Sequence, residues 1–542
     1  RVTGSSGTDE VAWVANVGLT LERLGLHALP GFGDGGDRGT TTYLVRGNPP
    51  YSGIPFERWL RRRAGRTQWE TIDLERRTLT YRRDRWFDAG RVAWIDLVQR
   101  LERIRKDDGV GGVAVKLSGS RIRPSLMWEL RRELAACRAA GKEVVVHLDR
   151  AKIGGVWLAS VADRVVMEPK GDLTIVGVAA QRTYLSGLLE KAGIGFEEHR
   201  YFKYKSAVET WERTDMSDAD KEQIGRQVDV IYEMLRRDIC ASRRISEEAF
   251  EEIVEKRGIL FAAEAKERGL VDEVGRWENV EAWVKGRGGA LRAAPADGPY
   301  YDDRWGRPPT VALVYADGET EMDRGFEGRE LAKHLEKLGK RRDVAAVVVR
   351  ADSPGGDPMA AEIVADGVAK LVEKGKPVVV SQGDVAGSGG YRICTDADRI
   401  YTTPVTVTGS IGVISAWVWD AGFGAKTGMT ADGVQRGSHA DLYAGIRLPL
   451  VGLRLPTRNL DAEEKALVRE GTMKLYDDFV AAVVAGRDLT DGRVRGLGEG
   501  RIWMGEDAVE RGLCDEIGSL PDAIAKARTL GGIDPEDEIL FE

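Results

Sequence analysis

Cysteine is scarce in this chain. Four residues (Cys137, Cys240, Cys394 and Cys514) are spread through 542 positions without CxxC or Cys/His spacing, which argues against both a zinc module and a disulfide framework. No apolar run approaches the eighteen or so residues that a membrane-spanning helix needs. An excess of positive charge is also missing: 80 Lys and Arg against 87 Asp and Glu leave a net charge of −7, so no overall positive field gathers nucleic acid or an anionic membrane. The five histidines (His27, His147, His199, His334 and His439) are scattered, and none shares a motif with a candidate serine, which speaks against a Ser-His-Asp triad. The chain starts at Arg1 rather than Met, followed by Thr3-Gly4-Ser5-Ser6-Gly7. A leader or anchor ahead of it is left open.

What is present is length and repetition. A chain of 542 residues exceeds one ordinary core, and two large units are expected. Residues 1–39 end in Pro30-Gly31-Phe32-Gly33-Asp34-Gly35-Gly36-Asp37, a composition that predicts an irregular extension. A strand is expected at 42–45, then a charged insertion over 57–86 read as a helix with a hairpin. Its Arg61-Arg62-Arg63 run is assigned to a solvated helix face rather than to anion binding.

From there helices and strands alternate: a helix over 92–104, a strand over 110–117, a helix over 125–140 and a strand over 143–148. The second half repeats the pattern with strands over 310–315, 344–350 and 377–381 and helices over 330–338 and 359–374. Such alternation predicts an α/β fold with mostly parallel sheets.

The halves also match residue by residue. Gly141-Lys142-Glu143-Val144-Val145-Val146 answers Gly375-Lys376-Pro377-Val378-Val379-Val380, and Ala162-Asp163-Arg164-Val165 answers Ala397-Asp398-Arg399-Ile400. Further on, Glu267-Arg268-Gly269-Leu270 answers Glu510-Arg511-Gly512-Leu513. We read a tandem duplication, with a first copy over 40–290, a linker over 291–309 rich in Gly, Ala, Pro and Asp, and a second copy over 310–542.

In the second copy Asp384-Val385-Ala386-Gly387-Ser388-Gly389-Gly390-Tyr391 follows an apolar run. Glycines around a serine permit a sharp turn and let a substrate carbonyl approach backbone N–H groups, as acyl transfer requires. Alone, such a stretch is only a turn. The displacement between copies, 398 − 163 = 235, sets Ile153 opposite Ser388, so the first copy keeps Gly154-Gly155 and lacks the hydroxyl.

Gly387-Ser388-Gly389-Gly390-Tyr391, Ser353-Pro354-Gly355-Gly356, Thr408-Gly409-Ser410-Ile411-Gly412 and, in the first copy, Tyr204-Lys205-Ser206-Ala207-Val208-Glu209 together resemble the long, tandem-repeat form of signal peptide peptidase A, over roughly residues 90–530. The resemblance implies a Clp-protease/crotonase-like fold, a serine protease with a Ser-Lys dyad, hydrolysis of released signal peptides, and a tetrameric, membrane-attached assembly, at the bacterial inner membrane or on the periplasmic face. It implies no metal and no organic cofactor. Carried over by motif, Ser388 is the nucleophile, Lys205 the general base, and Ser410 the residue that orients the lysine amine. Gly389 with Gly355 or Gly356 supplies oxyanion donors. The counterpart of Lys205 in the second copy falls at about His439, so that copy lacks the lysine.

A lysine serves as base only when neutral, so Lys205 is expected to lie among apolar groups without a carboxylate, and Glu209 to point elsewhere. Asp384 is expected to serve as a turn or helix-capping residue. Val405, Val407, Ile411, Val413, Ile414, Trp417 and Trp419 are expected to divide between the core and an apolar groove for extended peptides. Two other classes stay open at this point: a crotonase-like acyl-CoA enzyme, and a non-catalytic peptide-binding scaffold.

Overall fold

A computed structural model describes residues 68–82, 90–293, 309–447 and 454–534, together with strands between 13 and 47 and at Leu540–Phe541. Residues 57–67, with the Arg61–Arg63 run, and most of the linker lie outside the described residues.

Each copy is built on a parallel sheet. In the first copy the order across the sheet is Ile259–Phe261, Arg164–Thr174, Glu143–Lys152, Val110–Lys116, Gln68–Asp73 and Ala290–Ala293. In the second it is Ile502–Met504, Val407–Gly409, Val378–Gly387, Val344–Ser353, Thr310–Asp317 and Leu540–Phe541. Only the strand at the Ile259 or Ile502 edge of each path runs antiparallel to its neighbour. The central strands are buried on both faces, which is why they read as runs such as Val144-Val145-Val146 and Val378-Val379-Val380 rather than as alternation. The crossover helices are amphipathic: Gly328–Lys340 buries Leu331, Leu335 and Leu338, and Trp94–Lys106 buries Trp94, Leu97, Val98, Leu101 and Ile104.

The duplication holds at the level of register. Glu143 pairs with Gly112 as Val378 pairs with Val347, and Lys152 faces Thr174 as Gly387 faces Gly409. Every one of these positions is displaced by 235. The fold is a tandem duplication of an α/β domain with a mostly parallel sheet in each copy.

Three expectations are corrected. The stretch over 1–39 carries strands Trp13–Val14, Val17–Leu21 and Leu24–Phe32, which with Thr41–Gly47 form an antiparallel sheet. The alternation Val17-x-Leu19-x-Leu21 signalled it, and the Pro/Gly tail obscured it. Within the charged insertion, Gln68–Asp73 is a strand rather than helix or hairpin, with Trp69 and Ile72 buried on either side of Glu70 and Thr71. Finally, the helices Asp218–Arg243 and Ala462–Arg487 correspond at a displacement of 244, with Ser217 and Asp461 as their N-caps. Taken at that displacement, Lys205 falls opposite Pro449, outside the described residues, rather than at His439, whose Nδ1 lies 3.0 Å from Glu464 at that helix's start. The neighbouring Leu448-Pro449-Leu450-Val451-Gly452-Leu453 contains no lysine either.

The copies share one apolar core, in which Trp94, Leu126 and Leu130 join Leu313, Ala346, Val348 and Val379. A buried polar seam runs through it. Arg350, fully buried, bonds Glu129 Oε1 at 2.5 Å and Ser381 Oγ at 2.7 Å. Tyr81 donates to Asp352 Oδ2 at 2.6 Å, and Arg123 reaches the same oxygen at 2.7 Å. Removing one partner of a buried pair strands the other charge. Arg350→Leu is expected to lower stability by about 3–5 kcal/mol, and Glu129→Leu added to it to restore much of the loss, read from urea-unfolding midpoints.

Candidate active site

Ser388 follows the strand Val378–Gly387 and precedes the short helix Gly389–Arg392. Its backbone sits at φ 54°, ψ −122°, the first central position of a type II′ turn, where glycine is usual and a side chain is strained. The turn is held in place: Ser388 N–H donates to Gly409 O at 2.9 Å. Its neighbours must be glycine. A Cβ on Gly355 would lie 2.6 Å from Ser388 Cβ, and one on Gly390 would lie 2.2 Å from Ser353 O. In the first copy the corresponding helix starts at Ile153 after Lys152 in ordinary extended backbone (φ −78°, ψ 170°). The strain is confined to the copy with the hydroxyl.

Lys205 arrives from the first copy and is clasped by the second. Tyr204 N–H donates to Glu499 O at 3.0 Å, and a Cβ on Gly500 would lie 2.4 Å from Lys205 Cβ. The amine donates to Ser410 O and to Ser410 Oγ, both at 3.0 Å. Ser410 Oγ in turn donates to Gly500 O at 3.2 Å, and Ser410 N–H to Arg501 O at 2.8 Å. Burial alone pushes the Lys205 amine down from its ordinary 10.5 to about 7, since no charged group acts on it. Glu209 is turned away, accepting from Arg200 at 2.9 Å and from Ser217 Oγ at 2.8 Å.

Sheet pairing brings the two serines together. Gly387 and Gly409, each immediately before its serine, face one another on adjacent parallel strands, and a Cβ on Gly387 would lie 3.7 Å from Ser410 Cβ. Lys205, Ser388 and Ser410 thus occupy one site within a single chain. No hydrogen bond joins Lys205 Nζ to Ser388 Oγ among the described residues.

The expected oxyanion donors adjoin Ser388 with different engagements. Gly389 N–H has no acceptor among the described residues, while Gly355 N–H makes a long 3.2 Å bond to Ser353 Oγ. Gly355 and Gly356 both have positive φ, at 98° and 154°. Asp384 does cap a helix, but one in the other copy: its Oδ1 accepts Ser125 N–H at 2.7 Å, at the start of Pro124–Ala139. Of the apolar residues, Val405 and Ile411 belong to the core. Trp417 and Trp419 lie on Ser415–Asp420, which pairs antiparallel with Ile194–His199 of the first copy.

Sequence reading missed the clasp over residues 498–501. Its signal was Gly498-Glu499-Gly500 ahead of a strand, with φ of 54° at Glu499 and 78° at Gly500.

Comparison with known proteins matches Peptidase family S49 over residues 136–289 and 370–534, more than half the chain. Protease 4 of Haemophilus influenzae is 29% identical over 464 residues, covering 81% of this chain and 73% of that protein. Protease 4 of Salmonella typhi is 29% identical, covering 80% and 71%. The chloroplastic serine protease SPPA of Arabidopsis thaliana is 25% identical, covering 82% and 67%. Among solved structures, a mutant ClpP1 from Listeria monocytogenes aligns at 13% identity and a TM-score of 0.26, covering 39% of this chain and 94% of that one. With a match in each of its two copies, the chain belongs to peptidase family S49, in the long tandem form of signal peptide peptidase A.

Proposed function

We propose that this protease is a serine endopeptidase that hydrolyses short apolar peptides, released signal peptides among them, through a Ser388-Lys205 dyad. The observation that carries the reading is the Lys205 amine, buried without a carboxylate and tied to Ser410 beside the strained Ser388 turn.

The hydrogen-bond count determines what the amine does. A neutral amine has two N–H groups and one lone pair, and both N–H groups are directed at Ser410. The lone pair is left to accept the Ser388 hydroxyl proton. Ser410 Oγ accepts from the lysine because its own hydrogen is directed to Gly500 O. Ser410 is therefore a positioning residue.

Ser388 Oγ then attacks the scissile carbonyl carbon while Lys205 takes its proton, and the oxyanion receives Gly389 N–H together with a donor from the Gly355-Gly356 turn. Collapse breaks the C–N bond as the ammonium protonates the departing amine. Water, deprotonated by the restored amine, attacks the acyl carbon, the bond to Ser388 Oγ breaks as that oxygen takes the proton back from the ammonium, and the acyl group leaves as a carboxylate. The apolar side chains of an extended peptide suit a site whose surroundings already exclude water from an amine.

Ser388→Ala and Lys205→Ala are each expected to lower kcat on a Leu- and Ala-rich peptide by at least about 1,000-fold, measured beside wild type. Wild-type turnover in both variants would overturn the dyad. Because the neutral amine is the active form and its value is lowered to about 7, kcat/KM is expected to rise with pH through about 7 and level off above. Ser410→Ala is expected to lower kcat with little change in KM and to displace that inflection, which loss of packing alone would not do.

A further inference from the structure

The first copy holds a cavity of about 790 Å³ at the place where the second copy holds its reactive serine. Its wall includes Ser120, Gly154 and Gly155, which the 235-residue displacement sets opposite Gly355, Gly389 and Gly390. The counterparts of Ser388 and Ser410 are Ile153 and the fully buried Ile175. The cleft has kept its form and exchanged nucleophile for charge. Arg91, Arg121, Arg123, Arg150 and Lys152 line it, and no Asp or Glu does among the described residues.

Some of this charge is neutralised from outside the cavity. Arg150 pairs with Asp172 at 3.2 Å, and Arg123 with Asp317 and Asp352 at 3.0 and 2.7 Å. The exposed side chains of Arg121 and Lys152 have no carboxylate within ion-pair distance among the described residues. Beneath them the floor is apolar, formed by Leu79, Leu117, Leu148 and Leu158, each at most 5% exposed.

A cavity of this size with an apolar floor and an uncompensated cationic rim fits a ligand with an apolar body and one anionic end. Peptide hydrolysis makes such a molecule, since the amide and water become a new C-terminal carboxylate and a new amine. Resting on the protease reading above, we propose that the cleft of the first copy is a product-binding exosite that captures short apolar peptides by their C-terminal carboxylate, with Arg121 and Lys152 as anion contacts. An internal amide offers no carboxylate, so the cleft recognises a chain end, and each cut adds one such end. Arg123 lies on its wall and also bonds Asp352, whose Oδ1 accepts Val385 N–H three residues before Ser388. An occupant is thereby placed next to the group that steadies the nucleophile strand.

The test uses the full chain carrying Ser388→Ala, so that nothing is cleaved, and a fluorescent Leu/Ala/Val hexapeptide as free acid and as C-terminal amide, read by anisotropy. The acid is expected to bind at least tenfold more tightly than the amide. Arg121→Gln with Lys152→Gln is expected to reduce the acid to the level of the amide, with an unchanged melting temperature. Each single variant is expected to lose part of the preference. Equal binding of acid and amide, or a preference that survives both substitutions, overturns the proposal. So does a straight-chain fatty acid that binds through Arg121 and Lys152 where the peptide acid does not. Hydrolysis by wild type against Ser388→Ala is scored separately: equal rates there would sink the protease reading and leave the binding result standing.

Discussion

An amine that ordinarily titrates near 10.5 becomes a base near neutrality only where water is kept from it and no carboxylate takes the water's place. Everything around Lys205 answers to that double condition. Lys205 lies in the first copy and the Ser388 turn in the second, so neither copy alone holds both. The second copy closes the gap. The first copy supplies the side chain, and the second supplies Ser410 to hold the nitrogen and Gly500 to let backbone approach its stem. The complementary losses, Ile153 in one copy and no lysine around Pro449 in the other, follow from a site that needs one of each.

Such a site tolerates little sliding between the copies, and the buried seam explains how they are held. Apolar packing between Trp94 or Leu126 and the second sheet sets the distance but is indifferent to small shifts. Arg350, Glu129, Tyr81 and Asp352 are not indifferent, because each needs a named partner in a place without water, and Arg123 reaches Asp352 from the exposed side. Burial keeps the Tyr81 phenol protonated, so it serves as a donor to Asp352. The same carboxylate receives Val385 N–H, and Asp384 next to it caps a helix of the first copy. The strand that leads to Ser388 is thus tied to the opposite copy directly at Asp384 and, through Asp352, at Val385.

Much of this was legible in the sequence, for identifiable reasons. The central strands announced themselves because burial on both faces leaves only Val and Ala. The duplication was visible because the Gly-Lys and Ala-Asp-Arg segments sit at turns whose geometry tolerates few residues. Lys205 stood out only through the motif around it, since nothing in a lone lysine says that it will be buried. What stayed hidden was long-range. Tyr81 and Arg350 are 269 positions apart, and no local pattern marks Arg350 as interior, because a charge inside a Val-rich strand reads as an edge until its partner is known. The N-terminal strands and Gln68–Asp73 were obscured by glycine and by charge, respectively. The clasp at Gly500 was lost because glycines near a strand are ordinarily turns.

That clasp has an outcome in time. The amine belongs to residue 205, the hydroxyl to 388, and the loop that shields them to 498–501, so a ribosome must deliver the polypeptide as far as that loop before the catalytic centre can assemble. Between residues 388 and 501 a nascent chain carries the serine without the loop that encloses the amine. The order of the halves thus sets how late in the making of the chain the amine can be enclosed.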